Sequence, residues 1–271
     1  MDATRTAGAD VPELSVVLPC FEEEDSLPPL VAELRSTLGG TGRRFEILCV
    51  DDASGDGTAE VVRRLAASAP EVRLLRHSVR SGQSAALATG LRAARGAILL
   101  TLDADGQNDP ADFPALLAAL EAGADAACGV RVDRQDGWVR RASSRLGNGF
   151  RDVVTGVRVR DAGCALRALR RECLAELPVF NGLHRFIPTL LRLQGFTVVE
   201  VPAHHRPRRA GVSKYGIGNR ALRGFVDCLV MRWFARRLPR ARRLLDEPPS
   251  SAPAAPAAEP ARGATAGSSR R

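Results

Sequence analysis

Short β-branched and leucine-rich runs alternate with longer amphipathic stretches through the first half of the chain, the pattern of parallel strands joined by crossover helices. LSVVL at 14–18 predicts a first strand that Pro19 ends, and DSLPPLVAELRSTL predicts the helix after it. FEILCV at 45–50 predicts a second strand, TAEVVRRLAASA a helix capped by Thr58, and VRLL at 72–75 a third strand. In SGQSAALATGLRAARG the apolar positions Ala85, Leu87, Ala88 and Leu91 recur near the helical period, and Gly96 closes the helix. AILLTL at 97–102 is a fourth strand running straight into DADGQ. PADFPALLAALEAG then predicts a helix with proline in its first turn, and DAACGV a further strand.

The second half is less regular. WVRRASSRLGNGFRDVV and GLHRFIPTLLRLQG read as helices and FTVVEV at 196–201 as the last strand. Between Ile217 and Arg237, Leu222, Phe225, Val226, Leu229, Trp233 and Phe234 fall on one helical face, with Arg220, Arg223 and Arg236 off it. That is the signature of a helix lying at an interface. Residues 246–271 are rich in Pro, Ala and Ser with no large apolar side chain. They bury too little surface to offset chain entropy, so a disordered tail is expected there.

Composition narrows the picture. With 271 residues and 45% hydrophobic content the chain supports one full-sized core. Its six cysteines stand far apart with no C-x-x-C pair, so neither a zinc site nor a disulfide framework is visible, and a reduced compartment is expected. No apolar leader opens the chain and no run reaches the roughly 20 apolar residues that span a bilayer, so a cytoplasmic protein is expected. The net charge of +8 is concentrated: residues 206–243 hold twelve Arg or Lys against Asp227 alone. Such a block calls for an anionic partner, which charge alone leaves open among nucleic acid, anionic lipid and a phosphate-bearing substrate. The chain carries a single lysine, Lys214, among 38 arginines. A compact ammonium suits a narrow phosphate site where a guanidinium fork does not fit.

Polar residues gather at three predicted strand ends, where open α/β sheets form their ligand crevice. These are PCFEEE, DDASGDGT and DADGQ. Asp103 and Asp105, two apart on an extended segment, would point the same way and share a divalent cation with a nucleotide diphosphate, Gln107 adding a neutral oxygen. The plain alternative is a turn whose aspartates cap the helix at Pro110. Asp52 ends the second strand, where its carboxylate could accept from a base N–H or ribose hydroxyls; the alternative is an ordinary Asp-Gly turn. Glu23 doubles as ordinary acidic charge at a helix amino end. His184 and the His204–His205 pair read as hydrogen-bonded structural residues.

LPCFEEEDSL, VDDASGDGT, SGQSAALATGLRAARG, LDADGQNDP, the CGVR strand end, DAGCALRALRREC and RRAGVSKYG occur in collinear order over residues 14–237. Together they resemble family 2 glycosyltransferases, above all dolichol-phosphate mannose synthases and bacterial polyprenyl-phosphate glycosyltransferases. The resemblance implies an α/β GT-A fold, Rossmann-like with a mostly parallel sheet, flanking helices and a C-terminal amphipathic helix. It divides the chain into a catalytic domain over 12–204, a basic acceptor loop and membrane-interface helix over 205–245, and the tail over 246–271. Carried over by position, Pro19, Phe21, Glu23, Val50 and Asp52 would line the nucleoside pocket. Asp103, Ala104, Asp105 and Gln107 would meet the diphosphate and a Mg²⁺ or Mn²⁺ ion. Arg131 would contact the donor side, and Arg208 with Lys214 would hold donor and acceptor phosphates. Phe21-Glu22-Glu23 stands where relatives usually carry Tyr-Asn-Glu, so a tyrosine hydroxyl contact is missing.

The expected partners are a GDP- or UDP-sugar, a polyprenyl phosphate and an anionic membrane surface on the inner face of the cytoplasmic membrane, with or without a membrane-protein partner and with no nucleic acid. GDP-mannose is the first donor the resemblance implies, with UDP-glucose, UDP-N-acetylglucosamine or a modified pentose beside it. Asp105, Arg208 and Lys214 are the expected catalytic residues of an inverting transfer. A phosphate acceptor is already an anionic nucleophile, so no strong general base is needed. Transfer to a sugar hydroxyl would need one, and Asp161 is the nearest carboxylate in the second half. A basic adaptor without catalysis is the third reading, which intact Asp103, Asp105 and Gln107 oppose.

Overall fold

A computed structural model of the chain describes residues 11–132, 149–175, 177–207 and 218–237, the last helix by backbone alone as far as residue 225. Arg208, Lys214, the start of the helix expected from Trp138 and the 246–271 tail lie outside the described residues.

Seven strands form one sheet: β1 (Leu14–Cys20), β2 (Phe45–Asp51), β3 (Val72–Arg76), β4 (Ile98–Thr101), β5 (Ala126–Arg131), β6 (Arg167–Arg170) and β7 (Val198–Ala203), in the order β3-β2-β1-β4-β6-β5-β7. All pairs are parallel except those of β6, which runs antiparallel to both β4 and β5. The helices are α1 (Leu27–Gly39), α2 (Thr58–Ser68), α3 (Gln83–Ala93), α4 (Phe113–Glu121), α5 (149–155), α6 (Leu183–Leu193) and α7 (Gly218–Ala235). The chain moves outward from β1 to β3 and then returns to β4 on the other side of β1, so the strand order reverses between β1 and β4. A crevice opens at the carboxyl ends of strands flanking such a reversal.

Both faces of the sheet are covered, which is why β1, β2 and β4 read as near-continuous apolar runs. Val16, Leu18, Ile47 and Leu100 pack under α1, α2 and α4. Val17, Leu48, Val50 and Leu99 face the opposite way, under α3, α6 and the inward side of α7.

Local details differ from the sequence expectation in four places. Pro19 does not end β1, which continues to Cys20 in register with Asp51. Cys20 turns its carbonyl to β2 by accepting from Asp52 N, so the donor that Pro19 lacks would face β4, whose pairing has already stopped at Val17. Gly96 does not close α3, since Ala94 is already extended. A Cβ at Gly96 would lie 2.7 Å from the backbone of Leu14 and Ser15, so glycine is there to let the chain pass β1. Gly57 rather than Thr58 is the α2 cap residue, while Thr58 donates its hydroxyl to Asp56. On α7, Phe234 packs against the core beside buried Cys228 and Met231, whereas Val230 joins Val226, Leu229 and Trp233 on the exposed side.

β6 is the element the sequence did not announce. Its end carries adjacent arginines that close two helices. Arg170 donates to the carbonyls of Leu120 and Ala124 after α4, and Arg171 to those of Ala94 and Gly96 after α3. These carbonyls lie in the last turn of each helix or just past it, at the helix's negative end.

Candidate donor site at the carboxyl ends of the central strands

The loops after β1, β2, β3 and β4 converge on the reversal point. The first two are laced together: Glu22 N donates to Ser54 Oγ (2.9 Å), Glu23 N to Thr58 Oγ1 (2.8 Å) and Gly57 N to Glu24 Oε2 (2.7 Å). The Glu23 carboxylate accepts from Ser26. Glu22 and Ala53 both hold positive φ, 55° and 57°, the only described non-glycine residues to do so. Strain of this kind persists only where surrounding contacts over-determine it, as this lacing does. Phe21 lies under the Arg80 guanidinium, 3.9 Å from ring centroid to Cζ, so its face is used by a cation from the β3–α3 loop. Pro19 is half-buried, and Val50 and Ala104 are wholly inside the two core clusters.

Asp52 is 3% exposed and anchors the β3–α3 loop. Its Oδ1 accepts from Ser81 N (2.8 Å) and pairs with His77 Nδ1 (2.7 Å), and its Oδ2 accepts from Gly82 N (2.7 Å). With Nδ1 donating, His77 Nε2 is left to accept from Thr89 Oγ1 at 2.9 Å. Burial pushes the Asp52 carboxyl up, and the Ser81 and Gly82 amides with His77 outweigh it, holding it below the ordinary aspartate range. His77 carried no recognisable motif in the sequence.

Beyond β4 the chain does not stay extended through Asp105. It turns, with Gly106 at φ 72°, and Asp105 Oδ1 accepts from Gln107 N at 3.1 Å. The cap of the next turn is Asp109, which accepts from Ala111 N. Asp103 is half-buried and accepts from Gln83 Nε2 (2.7 Å), while Asp105 is 7% exposed. Burial and then the charge of Asp105 raise the Asp103 carboxyl to about 6, against the pull of Arg167 and Arg131. Two carboxylates, one raising the other by its charge, are a donor set that a hard divalent cation would relieve. Among the described residues no three His, Cys, Asp or Glu side chains converge as a ready-made metal cage. The protein would therefore supply two carboxylates, with phosphate oxygens left to complete the shell, the usual arrangement for Mg²⁺ and substrate phosphates.

The acidic loop is stapled to the start of the basic segment. Gln107 O accepts from Arg206 N (2.8 Å), Asn108 and His205 form a β-bridge, and Asp112 takes both the backbone N and Nδ1 of His204. Arg206 pairs with Asp109 (2.6 Å) and Glu33 (2.7 Å). Arg208 follows two residues later in the chain.

Arg131, at the end of β5, is a buried-edge residue whose Nε and Nη2 both bond Asp161 at 2.7 Å. Asp161 also accepts from the Arg131 and Gly163 amides. The one carboxylate considered as a base for a hydroxyl acceptor is thus engaged on both oxygens. His184 bonds Ser84 through Nδ1, the structural role expected of it.

A mostly parallel sheet with a strand-order reversal, an acid pair at the end of β4 and laced loops beside it define a GT-A fold. Residues 15–177 match the sequence profile of glycosyl transferase family 2. The chain belongs to that family. It is 37% identical over 206 residues to an undecaprenyl-phosphate 4-deoxy-4-formamido-L-arabinose transferase of Edwardsiella ictaluri, covering 75% of this chain and 63% of the relative. It is 34% identical over 229 residues to a dodecaprenyl-phosphate galacturonate synthase of Rhizobium johnstonii, covering 83% of this chain and 68% of that protein. The chain therefore spans just under two thirds of the first relative's length. In structure it is similar to glucosyl-3-phosphoglycerate synthase from Mycobacterium tuberculosis in complex with Mn²⁺, UDP and glucosyl-3-phosphoglycerate. The TM-score is 0.60 at 21% identity, over 82% of this chain and 80% of that one.

Proposed function

We propose that this protein transfers a sugar from a nucleoside diphosphate to a polyprenyl phosphate, with inversion at the anomeric carbon. The observation that carries the reading is the staple between Gln107 and Arg206. It sets the acid pair, suited to a cation and a diphosphate, directly beside the start of an arginine-rich segment suited to a second phosphate. The relatives named for undecaprenyl- and dodecaprenyl-phosphate chemistry support the same acceptor class.

In this reading Asp103 and Asp105 hold Mg²⁺ or Mn²⁺, with Gln107 as a further oxygen ligand. The ion would supply positive charge to the departing nucleoside diphosphate. Asp52, through Ser81, Gly82 and His77, keeps the rim of the nucleoside pocket in one shape. Arg206 orders the entry of the basic segment, and Arg208 and Lys214 draw the acceptor phosphate into line. Because that phosphate is already anionic, positioning and charge neutralisation carry the rate, and no general base is required. The engagement of Asp161 with Arg131 weighs against a hydroxyl acceptor.

The outward side of α7 gives the lipid a place to approach. Val226, Leu229, Val230 and Trp233 are 46–57% exposed there, with Arg232, Arg236 and Arg237 alongside and Arg237 lying over the Trp233 ring. An apolar stripe edged by arginines suits the headgroup region of an anionic membrane. No helix among the described residues is long and apolar enough to cross one.

The test is a donor screen against purified polyprenyl phosphate with Mg²⁺ or Mn²⁺, scoring label that moves into organic solvent. GDP-mannose heads it, with UDP-linked pentoses, uronic acids, glucose and N-acetylglucosamine beside it. Label confined to water-soluble product would favour a hydroxyl acceptor instead.

A further inference from the structure

Arg167 is the most buried cation among the described residues, at 2% exposure. Its Nη2 donates to the His184 carbonyl (2.7 Å), its Nε has no partner, and it forms no ion pair with any described carboxylate. Burying a guanidinium costs far more than one hydrogen bond to a carbonyl returns. Arg170, on the same short strand, and Arg171, just past it, are satisfied by carbonyls at or just beyond helix carboxyl ends, so that role accounts for them and not for Arg167.

Register places it. Arg167 is the β6 partner of Thr101, and partners across a sheet project from the same face. Asp103 lies two residues beyond Thr101, just past the end of β4, so it follows the strand end that Arg167 pairs with and is within reach of a long side chain. On that face Gln83 bonds Asp103, Ser84 Oγ bonds His184 Nδ1 and accepts from Gly182 N, and His184 O returns to Arg167. The circuit joins the acidic loop to the first turns of α3 and α6, the positive ends of both helix dipoles.

The charges of a loaded site need such a group. Two aspartates balance one divalent cation, and the negative charge of a diphosphate is then left over. We propose that Arg167 is a positioning residue of the donor site, a buried cation behind Asp103 that, with the amino ends of α3 and α6, raises affinity for a nucleoside diphosphate. This rests on the donor reading above.

The experiment compares the full chain with Arg167→Gln, which drops the charge, and Arg167→Lys, which keeps it and drops the fork. Calorimetry with GDP and UDP in Mn²⁺ reads nucleotide affinity, and electron paramagnetic resonance reads Mn²⁺ alone. Arg167→Gln is expected to bind nucleotide about tenfold more weakly while binding Mn²⁺ no more weakly than the parent, because the lost charge attracts one and repels the other. Arg167→Lys should stay within about threefold on both. Parent-like nucleotide affinity in Arg167→Gln, or equal loss of metal and nucleotide as from a loosened scaffold, would overturn the proposal. Should Arg167→Gln not fold, Arg167→Lys decides: near-parent nucleotide affinity upholds the charge, and a tenfold loss refutes it. A parent protein that binds neither nucleotide with Mn²⁺ would instead remove the donor reading itself.

Discussion

Glu46 and Asp103 are acids set into the same sheet at its opposite edges, and their surroundings treat them in opposite ways. Glu46, 1% exposed near the amino ends of β1 and β2, accepts from Ser15 Oγ, Arg73 Nη1, Arg95 N and Arg95 Nε at 2.6–3.0 Å. Burial pushes its carboxyl up, and those bonds more than compensate, leaving it below the ordinary glutamate range. Asp103, at the carboxyl edge, has one side-chain donor in Gln83 and a neighbouring negative charge in Asp105, and it rises to about 6. A fully partnered acid is a fastener, whereas a carboxyl held up like Asp103 is an arrangement that stability alone would not retain. The contrast separates the edge that holds the sheet from the edge proposed to hold a ligand.

The comparison breaks most visibly at the carboxyl edge. Asp105→Ala should lower turnover by about 10²–10³-fold at saturating donor and Mn²⁺, the scale of losing a main electrostatic element of a site. The fold should survive with a loss of about 1 kcal/mol, the scale of the hydrogen bond to Gln107 N, which differential scanning calorimetry checks; near-normal turnover would remove the metal role. Glu46→Gln should do the reverse. It should cost about 3 kcal/mol in urea unfolding, the scale of breaking a buried ion pair from one side. Nucleotide affinity should stay within about twofold, because the site lies at the other end of the strands.

Smaller effects sharpen the line between the edges. Arg206→Ala loosens the staple and should weaken nucleotide binding about threefold by calorimetry, with a stability loss of about 1 kcal/mol for a part-exposed pair. Asp103→Asn should stabilise the metal-free protein by about 1 kcal/mol at pH 7, since it removes a charge the fold disfavours. The pH dependence has opposite sign at the two edges. With Asp103 raised to about 6, the folded state binds its proton more tightly than the unfolded state does. Its stabilising contribution is therefore complete at low pH and disappears as pH rises from the ordinary aspartate range through 6. Glu46 is depressed, so its contribution is present above the ordinary glutamate range and is lost as pH falls through its folded value. Melting curves of Asp103→Asn and Glu46→Gln between pH 4 and about 7 separate the two.

The parts legible in the sequence share a cause. β1, β2 and β4 are buried on both faces and read as continuous apolar runs, while the helices between them are buried on one face, which writes a period into their residues. β6 is four residues, Arg-Ala-Leu-Arg, and its arginines take their meaning from helix carbonyls and a sheet register that no local pattern encodes. The same limit hid the site's supports. His77 meets Asp52 across 25 positions and Arg206 meets Glu33 across 173, distances over which spacing carries no signal. Asp103 and Asp105 stood out because strand-end acids are visible in sequence, yet Gly106 turns the chain where an extended segment was expected. On α7, which apolar residues face inward depends on where α6 and α5 lie, so Phe234 turns to the core, away from Val226, Leu229 and Trp233 with which it was expected to share a face.

Metal dependence of nucleotide binding reads the acid pair most directly. GDP and UDP are titrated into the protein with and without Mn²⁺, and again into Asp105→Ala. At least one nucleotide should bind the parent tightly only when Mn²⁺ is present, and that gain should vanish in the variant. Equal affinity with and without the ion, or a gain that survives loss of Asp105, would contradict the assignment of this edge of the sheet to a cation and a diphosphate.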